Sequence, residues 1–331
     1  MKYLLVDAAN TFFRGRHVAH RGSDMWDKLG LSIHITLGAV NKCHRMHNSD
    51  HVVFALEGRS WRKDFYTPYK AQRRAQRMAK TESEQEEDRL FFEAFDDLCD
   101  FLKDKSNCTV LQNSIAEADD MIARFIALHP NDEHVIISSD SDYYQLLAHN
   151  VTQYNGITDE HITLDGYFDG KGNPVKDKKT GDQKHPGDPQ YLLFEKCMRG
   201  DTSDNVFSAY PGVRKKGTKN KVGLLEAYAD RSNKGFNWNN MMLQRWTDHN
   251  GEEHRVLDDY ERNRQLIDLT AQPGDIKQYI DETIQQASTV KSNPMVGAKF
   301  LKFCGKYDLH KMSEQATAFA EWLQAPYKEN H

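Results

Sequence analysis

Three short apolar runs, each followed directly by an acidic residue, constrain the fold of this 331-residue chain more than any other feature. YLLV over 3–6 precedes Asp7, HVVFAL over 51–56 precedes Glu57, and VIISS over 135–139 precedes Asp140. Runs of this length, rich in β-branched residues and separated by helical patterns, are typical of buried parallel strands. Ligands of open parallel sheets bind beyond the carboxyl ends of the strands. The three acids are therefore expected to face one crevice.

The segment 59–80, between the second and third runs, is strongly basic and holds eight Lys or Arg residues against one acid. Four cations fall at helical spacing on one face: Lys70, Arg73, Arg74 and Arg77. Clustered cations suit a phosphate backbone, and the adjacent ring of Tyr69 suits stacking on a base. A solvated helix face is the alternative for the cations, and core packing is the alternative for the rings.

Two capping-box patterns predict helix starts further along the chain. Thr81 with Glu84 marks the first start, and Ser114 with Glu117 marks the second. The segment 165–189 is rich in Gly, Pro, Lys and Asp, which predicts a surface hairpin or loop. The chain beyond it is mostly helical in pattern.

Further acids occur in three clusters that, with Asp7 and Glu57, could hold metal ions. They are Glu117, Asp119 and Asp120 in EADD, Asp140 and Asp142 in ISSDSD, and Asp201 and Asp204 in GDTSDN. Magnesium prefers hard oxygen ligands, and a pair of ions can activate water and stabilise the leaving oxygen of a phosphodiester. Each cluster taken singly could instead cap a helix or form a turn. Their joint occurrence favours a site for two or more ions.

Bulk properties exclude several other classes. Five scattered cysteines, an odd number without a C-x-x-C pair, favour reduced thiols in a cytoplasm over disulfides or a zinc ribbon. No apolar run is long enough to span a bilayer, and the N-terminus predicts a buried strand rather than a signal peptide. No G-x-G-x-x-G follows the first run, so no dinucleotide cofactor is expected. The net charge of −5 does not exclude DNA, because the cations are concentrated in two places.

The ordered motifs resemble those of one family. VDAAN, W-R-K-D-F-x-x-x-Y-K-x-x-R, EADD, ISSDSD and GDTSDN are similar in order to those of the 5′-nuclease superfamily of flap endonucleases and 5′→3′ exonucleases. Within it, the chain resembles most the RNase H branch of T-even-type phages. The resemblance covers about residues 1–230. Two departures are Glu57, where the family usually has Asp, and a longer, more basic turn over 211–219.

The resemblance implies an α/β fold with a central, mostly parallel sheet flanked by helices, a PIN-like core. It implies a core over 1–188, with a helical arch over about 60–105 and a surface hairpin over about 160–188. A helical region over 189–331 would contain a helix-hairpin-helix element over about 199–230, with K⁺ as a candidate ligand of its turn.

The resemblance also implies roles for individual residues. The first metal group would be Asp7, Glu117, Asp119 and Asp140, and the second Asp142, Asp201 and Asp204 with Asp120 in support; Glu57 is a further candidate ligand. Lys70 and Arg73 would stabilise charge on the scissile phosphate. Substrate contacts would come from Asn10, Arg14, Tyr69, Arg74 and Arg77, and a duplex clamp from Arg214, Lys215, Lys216, Lys219 and Lys221.

These features predict a Mg²⁺-dependent 5′ nuclease, with Mn²⁺ as a substitute ion, that cuts 5′ flaps, DNA ends and RNA primers paired to DNA. It would be a cytoplasmic monomer, in a bacterial host if phage-encoded, with a single-strand-binding protein or a sliding clamp as candidate partners and no membrane. One alternative is a magnesium phosphatase, although Asp7-Ala8-Ala9 lacks the second acid of D-x-D. Another is a structure-specific DNA-binding protein with impaired catalysis, which the Glu57 departure favours.

Overall fold

The computed structural model describes residues 1–18, 24–209, 223–248 and 250–328, and for Arg74 the backbone alone. Contacts divide the chain into two compact units. Unit 1 comprises Met1–Arg59, Lys80–Pro186 and Gly274–His331, and unit 2 comprises Ser60–Ala79 and Gly187–Pro273. Both units are therefore discontinuous in sequence.

A seven-stranded sheet forms the centre of unit 1. Its strands are β1 (Lys2–Asp7), β2 (His51–Ala55), β3 (Thr109–Leu111), β4 (Glu133–Ile137), β5 (Val151–Asn155), β6 (Glu160–Thr163) and β7 (Gly166–Asp169). The order across the sheet is β3-β2-β1-β4-β5-β6-β7. The first five are parallel in that order, whereas β6 and β7 run antiparallel to their neighbours. The prediction of an α/β fold with a mostly parallel sheet is confirmed.

The register of the central strands brings their carboxyl ends to one edge. Val6 of β1 pairs with Phe54 of β2 on one side and with Ile137 of β4 on the other. All three side chains are buried, as expected for strands covered on both faces. The residues that follow each strand are consequently delivered to the same end of the sheet.

The helices of the described residues surround this sheet or build unit 2. They are α1 (Ala8–Phe13), α2 (Gly15–Val18), α3 (Met25–His47), α4 (Arg62–Phe65), α5 (Ala71–Met78), α6 (Glu82–Lys105), α7 (Ala118–Leu128), α8 (Pro189–Arg199), α9 (Leu224–Ala229), α10 (Phe236–Met242), α11 (Val256–Ile267), α12 (Gly274–Ala287), α13 (Val296–Lys306), α14 (His310–Glu314) and α15 (Ala316–Leu323). Short 3₁₀ helices cover Ser141–Leu146 and Arg231–Asn233. Among the described residues, no helix combines the length and the apolar character that crossing a bilayer requires.

Of the two predicted capping boxes, the structure confirms the one at Thr81 and contradicts the one at Ser114. Thr81 is the N-cap of α6: its hydroxyl accepts from the backbone N–H of Glu84, and the Glu84 carboxylate accepts from the backbone N–H of Thr81, as predicted. The box at Ser114 is wrong: Glu117 is the N-cap of α7, and the helix begins at Ala118. The physical reason is that the carbonyl of Ser114 accepts from the backbone N–H of Arg59, which ties this segment to the chain beyond β2 as a non-helical bend.

The C-terminal helices belong to the core of unit 1. Phe300 of α13 and Trp322 of α15 are fully buried in the same cluster as Val6, Phe54 and the apolar faces of α3 and α6. This differs from the division expected from sequence, which placed all of 189–331 in one helical region. Amphipathic helices can cover a distant part of the chain, and their periodicity alone does not say which part.

Unit 2 combines α4 and α5 with α8 to α11 and a small hairpin. The hairpin strands are β8 (Arg245–Thr247) and β9 (Glu253–Arg255). Arg62 of α4 is fully buried, and its Nε donates to the carbonyl of Leu266 at 2.8 Å. The predicted arch over 60–105 is thus divided, with 60–79 in unit 2 and α6 in unit 1. The predicted helix-hairpin-helix turn lies outside the described residues.

Candidate metal centre

Asp7 is a buried acid at the carboxyl end of β1, in unit 1. It is the last residue of β1 and the N-cap of α1, and it is 6% exposed. Oδ1 accepts from the backbone N–H of Asn10 at 3.2 Å, and Oδ2 accepts from Oγ of Ser138 and Oη of Tyr143, both at 3.1 Å. Burial raises the pKa of Asp7 to about 6, although these hydrogen bonds lower it. A nearby cation would favour the charged form of this carboxylate.

Glu57 lies two residues beyond β2, beside the start of α7. The backbone N–H of Gly58 donates to the carbonyl of Ala116 at 3.0 Å. A Cβ at position 58 would lie 2.0 Å from the carbonyl oxygen of Asn113, so this close approach requires glycine. The approach brings Oε2 of Glu57 to 3.4 Å from the backbone nitrogen of Ala118.

The EADD sequence forms the start of α7. Glu117 and Asp120 are buried, and Asp119 lies between them. The backbone N–H of Asp120 donates to Oδ1 of Asp119 at 2.7 Å, and that of Glu117 approaches Oδ2 of Asp120 at 3.4 Å. One carboxylate oxygen from each of the three acids lies within 4.8 Å of the others. The positive end of the helix dipole favours these charges, and the spacing suits a shared cation.

The turn after β4 carries Asp140 and Asp142. Oδ1 of Asp140 accepts from the backbone N–H of Asp142 at 3.0 Å. Gln153, fully buried in β5, donates from Nε2 to the carbonyls of Ser138 and Asp140 at 2.9 and 2.8 Å. Oγ of Ser138 accepts from the backbone N–H of Asp140 at 3.1 Å. These bonds fix the direction in which the turn presents its acids.

Tyr143 lies where the acids converge. It is 1% exposed, and its hydroxyl donates to Asp7. Burial raises the pKa of Tyr143, and the carboxylates of Asp7, Asp119, Glu57 and Asp140 raise it further. Four acids from distant positions in the chain therefore lie within electrostatic reach of one hydroxyl.

The donor chemistry of this cluster fits a hard divalent cation. The side chains that converge on Tyr143 are carboxylates, which suit magnesium or manganese better than zinc or copper. The oxygens of Glu117, Asp119 and Asp120 are already close enough to share an ion. No folding rearrangement of α7 is needed for them to do so.

Asn10 and Arg14, predicted to contact substrate, have partners within unit 1. Oδ1 of Asn10 accepts from the backbone N–H and the hydroxyl of Ser139 at 3.0 and 2.9 Å, so it supports the turn that bears Asp140. Nη2 of Arg14 donates to the carbonyl of Gly156 at 2.7 Å. Burial lowers the pKa of Arg14, and its Nε has no hydrogen-bond partner within the described part of the chain. Their roles toward substrate stay predictions.

Asp201 and Asp204 lie in unit 2, in the turn after α8, and each has a cationic partner. Nζ of Lys196 lies 2.9 Å from Oδ2 of Asp201. Nη2 of Arg73 lies 2.8 Å from Oδ1 of Asp204, and Nζ of Lys70 lies 3.5 Å from its Oδ2. Burial works to raise the pKa of Asp201, but Lys196 and the hydrogen bonds from Ser203 lower it overall. The structure thus brings the predicted catalytic cations together with Asp204.

The predicted stacking role of Tyr69 is wrong. Its ring is 3% exposed and packs with Val206 and Leu266, and its hydroxyl donates to Oδ2 of Asp204 at 3.0 Å. A ring in this position has no face open to a base. The aromatic residue at this position serves core packing, the alternative considered for it.

The remaining predicted cations are only partly described. Arg77 is exposed on α5, whereas the side chain of Arg74 is outside the description. The predicted clamp also lies outside the described residues: Arg214, Lys215, Lys216, Lys219 and Lys221.

Sequence reasoning missed the residues that support the acids. Ser138, Tyr143 and Gln153 contact Asp7 or the turn bearing Asp140. The position of Ser138 and Tyr143 inside and just after ISSDSD is the signal that could have identified them. For Gln153 the sequence offers only a polar residue within a short β-branched run.

Comparison with known proteins gives one family and a group of relatives. The family model of the 5′-3′ exonuclease N-terminal resolvase-like domain matches residues 2–171. A DNA polymerase I of Rhizobium leguminosarum is 27% identical over 243 residues, which cover 68% of this chain and 20% of the polymerase. The flap endonuclease Xni of Shewanella loihica is 25% identical over 236 residues, which cover 70% of this chain and 78% of that protein. The chain thus spans one fifth of the polymerase and most of the Xni protein.

Solved structures with the same fold come from bacteriophage T5. One is a flap endonuclease in a pseudo-enzyme-product complex with DNA and metal ions, with a TM-score of 0.57 and 18% identity over 97% of this chain and all of that chain. Another is a T5 5′-exonuclease with bound divalent zinc ions, with a TM-score of 0.59 and 19% identity over 87% of this chain and all of that chain. At this identity the likeness concerns the fold.

Proposed function

Because the chain belongs to the 5′-3′ exonuclease family, we propose that it is a metal-dependent 5′ nuclease of DNA replication or repair. One observation carries the proposal: at the carboxyl edge of a parallel sheet, the hydroxyl of Tyr143 donates to Asp7, and the carboxylates of Glu57, Asp119 and Asp140 act electrostatically on the same hydroxyl. Acids gathered from distant positions on a rigid frame suit ions that act on a phosphodiester.

The metal is proposed to be Mg²⁺, in two or more ions, with Mn²⁺ as a substitute. The proposed ligands are Asp7, Glu117, Asp119 and Asp140 for the first group, and Asp142, Asp201 and Asp204 with Asp120 in support for the second; Glu57 is a further candidate ligand. Ions of this kind activate water and stabilise a leaving oxygen when bound. The role of Tyr143 and Ser138 is to orient the carboxylate of Asp7, to which both donate.

The proposed substrates are 5′ flaps, nicked or 5′-recessed duplexes, and RNA primers paired to DNA, cut to leave a 5′-phosphate and a 3′-hydroxyl. Lys70 and Arg73 are proposed to stabilise charge on the scissile phosphate. Backbone contacts are proposed for Arg14, Arg74 and Arg77. The cations of 214–221 are proposed to hold the duplex arm, with K⁺ at their turn.

Finer features of the proposal rest on the resemblance of the motifs. They are an RNase H-type activity like that of the T-even branch, a monomeric state, and a single-strand-binding protein or a sliding clamp as partners. The five cysteines are buried free thiols, which agrees with the proposed action in a cytoplasm, that of a bacterial host if a phage encodes the chain.

A cleavage assay with a 5′-labelled flap, with and without Mg²⁺, tests the proposal. We expect Mg²⁺-dependent release of the flap, and loss of cleavage with retained flap binding in Asp140→Asn. The matched control is Asp165→Asn in the exposed turn between β6 and β7. Full turnover by Asp140→Asn would overturn the site, and flap binding without cleavage by the unaltered chain would favour a DNA-binding protein. Release of phosphate from small esters, with no flap cleavage, would instead favour a phosphatase.

A further inference from the structure

In unit 2, hydrogen bonds join the GDTSDN turn over 200–205 to the segment 68–72 at the start of α5. The backbone N–H of Lys70 donates to the carbonyl of Asp204 at 2.8 Å. Nε2 of Gln72 donates to the carbonyl of Ser203 at 2.7 Å, and Nδ2 of Asn205 donates to the carbonyl of Pro68 at 2.8 Å. Two motifs separated by about 130 positions thus form one rigid element.

Backbone strain in both partners indicates that this element is specified closely. Lys70 and Asn205 have φ values of 53° and 58°, in the left-handed region that residues other than glycine rarely adopt. Such conformations persist where surrounding contacts hold them, and they concentrate at functional sites. Gly200, with φ of 73°, opens the turn, and a Cβ there would lie 2.4 Å from the carbonyl oxygen of Val206.

The carboxylate of Asp204 is fully engaged in this element. Oδ1 accepts from Nη2 of Arg73 at 2.8 Å, and Oδ2 accepts from the hydroxyl of Tyr69 at 3.0 Å with Nζ of Lys70 at 3.5 Å. The side chains of Asp204 and Lys70 are 16% and 13% exposed. Partial removal from water makes the Asp204–Lys70 pair interact more strongly than a surface pair would, whereas Arg73 is 49% exposed and solvent weakens its attraction to Asp204.

We propose that Asp204 is the resting counter-ion of Lys70 and Arg73, and that a divalent cation competes with these two side chains for its carboxylate. The inference rests on the proposed function, since it takes Asp204 as a metal ligand and the two cations as phosphate ligands. A divalent ion at Asp204 repels the guanidinium and ammonium that now contact the same oxygens. Displaced from Asp204, Lys70 and Arg73 become available to a phosphate.

This competition couples the metal to the substrate. Phosphate that binds Lys70 and Arg73 removes competitors from Asp204, so it strengthens metal binding there. By linkage, metal at Asp204 strengthens phosphate binding by the same factor. Asp7 and Asp140 of unit 1 differ, because their hydrogen-bond donors are hydroxyls and backbone N–H groups rather than cations. The coupling is therefore proposed for Asp204, whose carboxylate contacts both Lys70 and Arg73.

The test is a titration of the DNA-free protein with Mn²⁺, followed by calorimetry. Arg73→Gln keeps a polar side chain but removes one competing charge, and we expect one class of Mn²⁺ sites to bind about fivefold more tightly. Asp204→Asn is expected to lose that class. The control is Arg89→Gln, which breaks exposed ion pairs with Glu86 and Glu93 on α6 and is expected to leave Mn²⁺ binding unchanged.

Unchanged or weaker Mn²⁺ binding in Arg73→Gln would overturn the proposal, as would retention of every Mn²⁺ site in Asp204→Asn. Thermal unfolding of each variant checks that the fold is intact, and Lys70→Gln repeats the test if Arg73→Gln does not fold. The result is distinguishable from a failure of the proposed function, because Mn²⁺ binding is measured without DNA and without cleavage.

Discussion

The hydroxyl of Tyr143 donates a hydrogen bond to Oδ2 of Asp7 at 3.1 Å, and both residues are buried beneath the acidic edge of the sheet. A donor fixed in this way determines which face of the Asp7 carboxylate is turned toward the other acids. Groups that orient a metal ligand contribute strongly to metal affinity, although they do not touch the ion.

Removal of this hydroxyl in Tyr143→Phe is expected to weaken the apparent affinity for Mg²⁺ about tenfold. The ring still fills its cavity, so the fold is retained while Asp7 loses a donor that favours its charged form. The measurement is the cleavage rate as a function of Mg²⁺ concentration. Tyr144→Phe is the control, because the hydroxyl of Tyr144 instead bonds that of Tyr167. An identical Mg²⁺ dependence in both variants would contradict the prediction.

Replacement of Gln153 by leucine is expected to destabilise unit 1 and to slow cleavage. The carbonyls of Ser138 and Asp140 would lose their buried amide donor, which costs about 1–3 kcal/mol of unfolding free energy for each group left unsatisfied. Urea unfolding measures the loss. Thr152→Leu, at the neighbouring position of β5 and on its opposite face, is the control. Equal unfolding free energies for the two variants would show that the amide does not hold the turn.

Loss of the capping box at the start of α6 is expected to lower stability without affecting the metal site. Thr81→Ala removes the side chain that accepts from the backbone N–H of Glu84 at 3.3 Å. We expect a loss of about 0.5–2 kcal/mol in unfolding free energy, with little change in Mg²⁺ dependence. Ser83→Ala, an exposed position in the first turn of α6, should change neither quantity. A stable Thr81→Ala variant would mean that tertiary contacts alone fix the start of this helix.

Acid should destabilise the protein through His51. Its Nε2 accepts from the backbone N–H of Thr109 at 3.2 Å, and its Nδ1 donates to the carbonyl of Ala325 at 3.1 Å, an arrangement that only the neutral ring allows. Burial lowers the pKa of His51 to about 4, against 6.5 in the unfolded chain.

The sign follows from proton binding. Between pH 6.5 and 4 the unfolded chain binds a proton at His51 that the folded chain does not, so stability falls as the pH falls, by up to about 3 kcal/mol. Urea unfolding at pH 7.5, 6 and 5 measures the slope. His51→Gln should be less stable at pH 7.5 but show a shallower slope, whereas His310→Gln, at an exposed position, should keep the original slope. A slope that His51→Gln leaves unchanged would assign the effect to other groups.

The sequence predicts those parts of the fold that have a strong local signal. The three short apolar runs identify β1, β2 and β4, and the acid after each run identifies the edge where the site lies. β3 has only three residues, and β5 carries a buried glutamine within VTQYN, so neither has the pattern of a buried strand. The short length of β3 and the polar residues of β5 are the reasons that the sequence does not predict these two strands.

Contacts between distant positions could not be predicted in the same way. The Ser114 box was misleading because a backbone bond from Arg59 outweighs a local capping preference. The partners of Asp204 lie more than 130 positions away, and the pattern of GDTSDN does not indicate them. The same holds for Tyr143, whose position in sequence predicts a turn but whose hydroxyl is placed by the packing of the whole sheet.

The packing of α15 against β2 and α3, and of α13 against α6 and α15, has a consequence for how the chain reaches its folded state. Phe300 and Trp322 complete an apolar cluster whose first member is Leu4. During synthesis, β1 and α3 leave the ribosome roughly 250–300 residues before α13 and α15. The apolar faces of β1 and α3 therefore stay exposed for tens of seconds at ordinary translation rates. Emergence of α15, rather than emergence of the strands, is then the event that lets unit 1 close, and chaperones have that interval in which to bind.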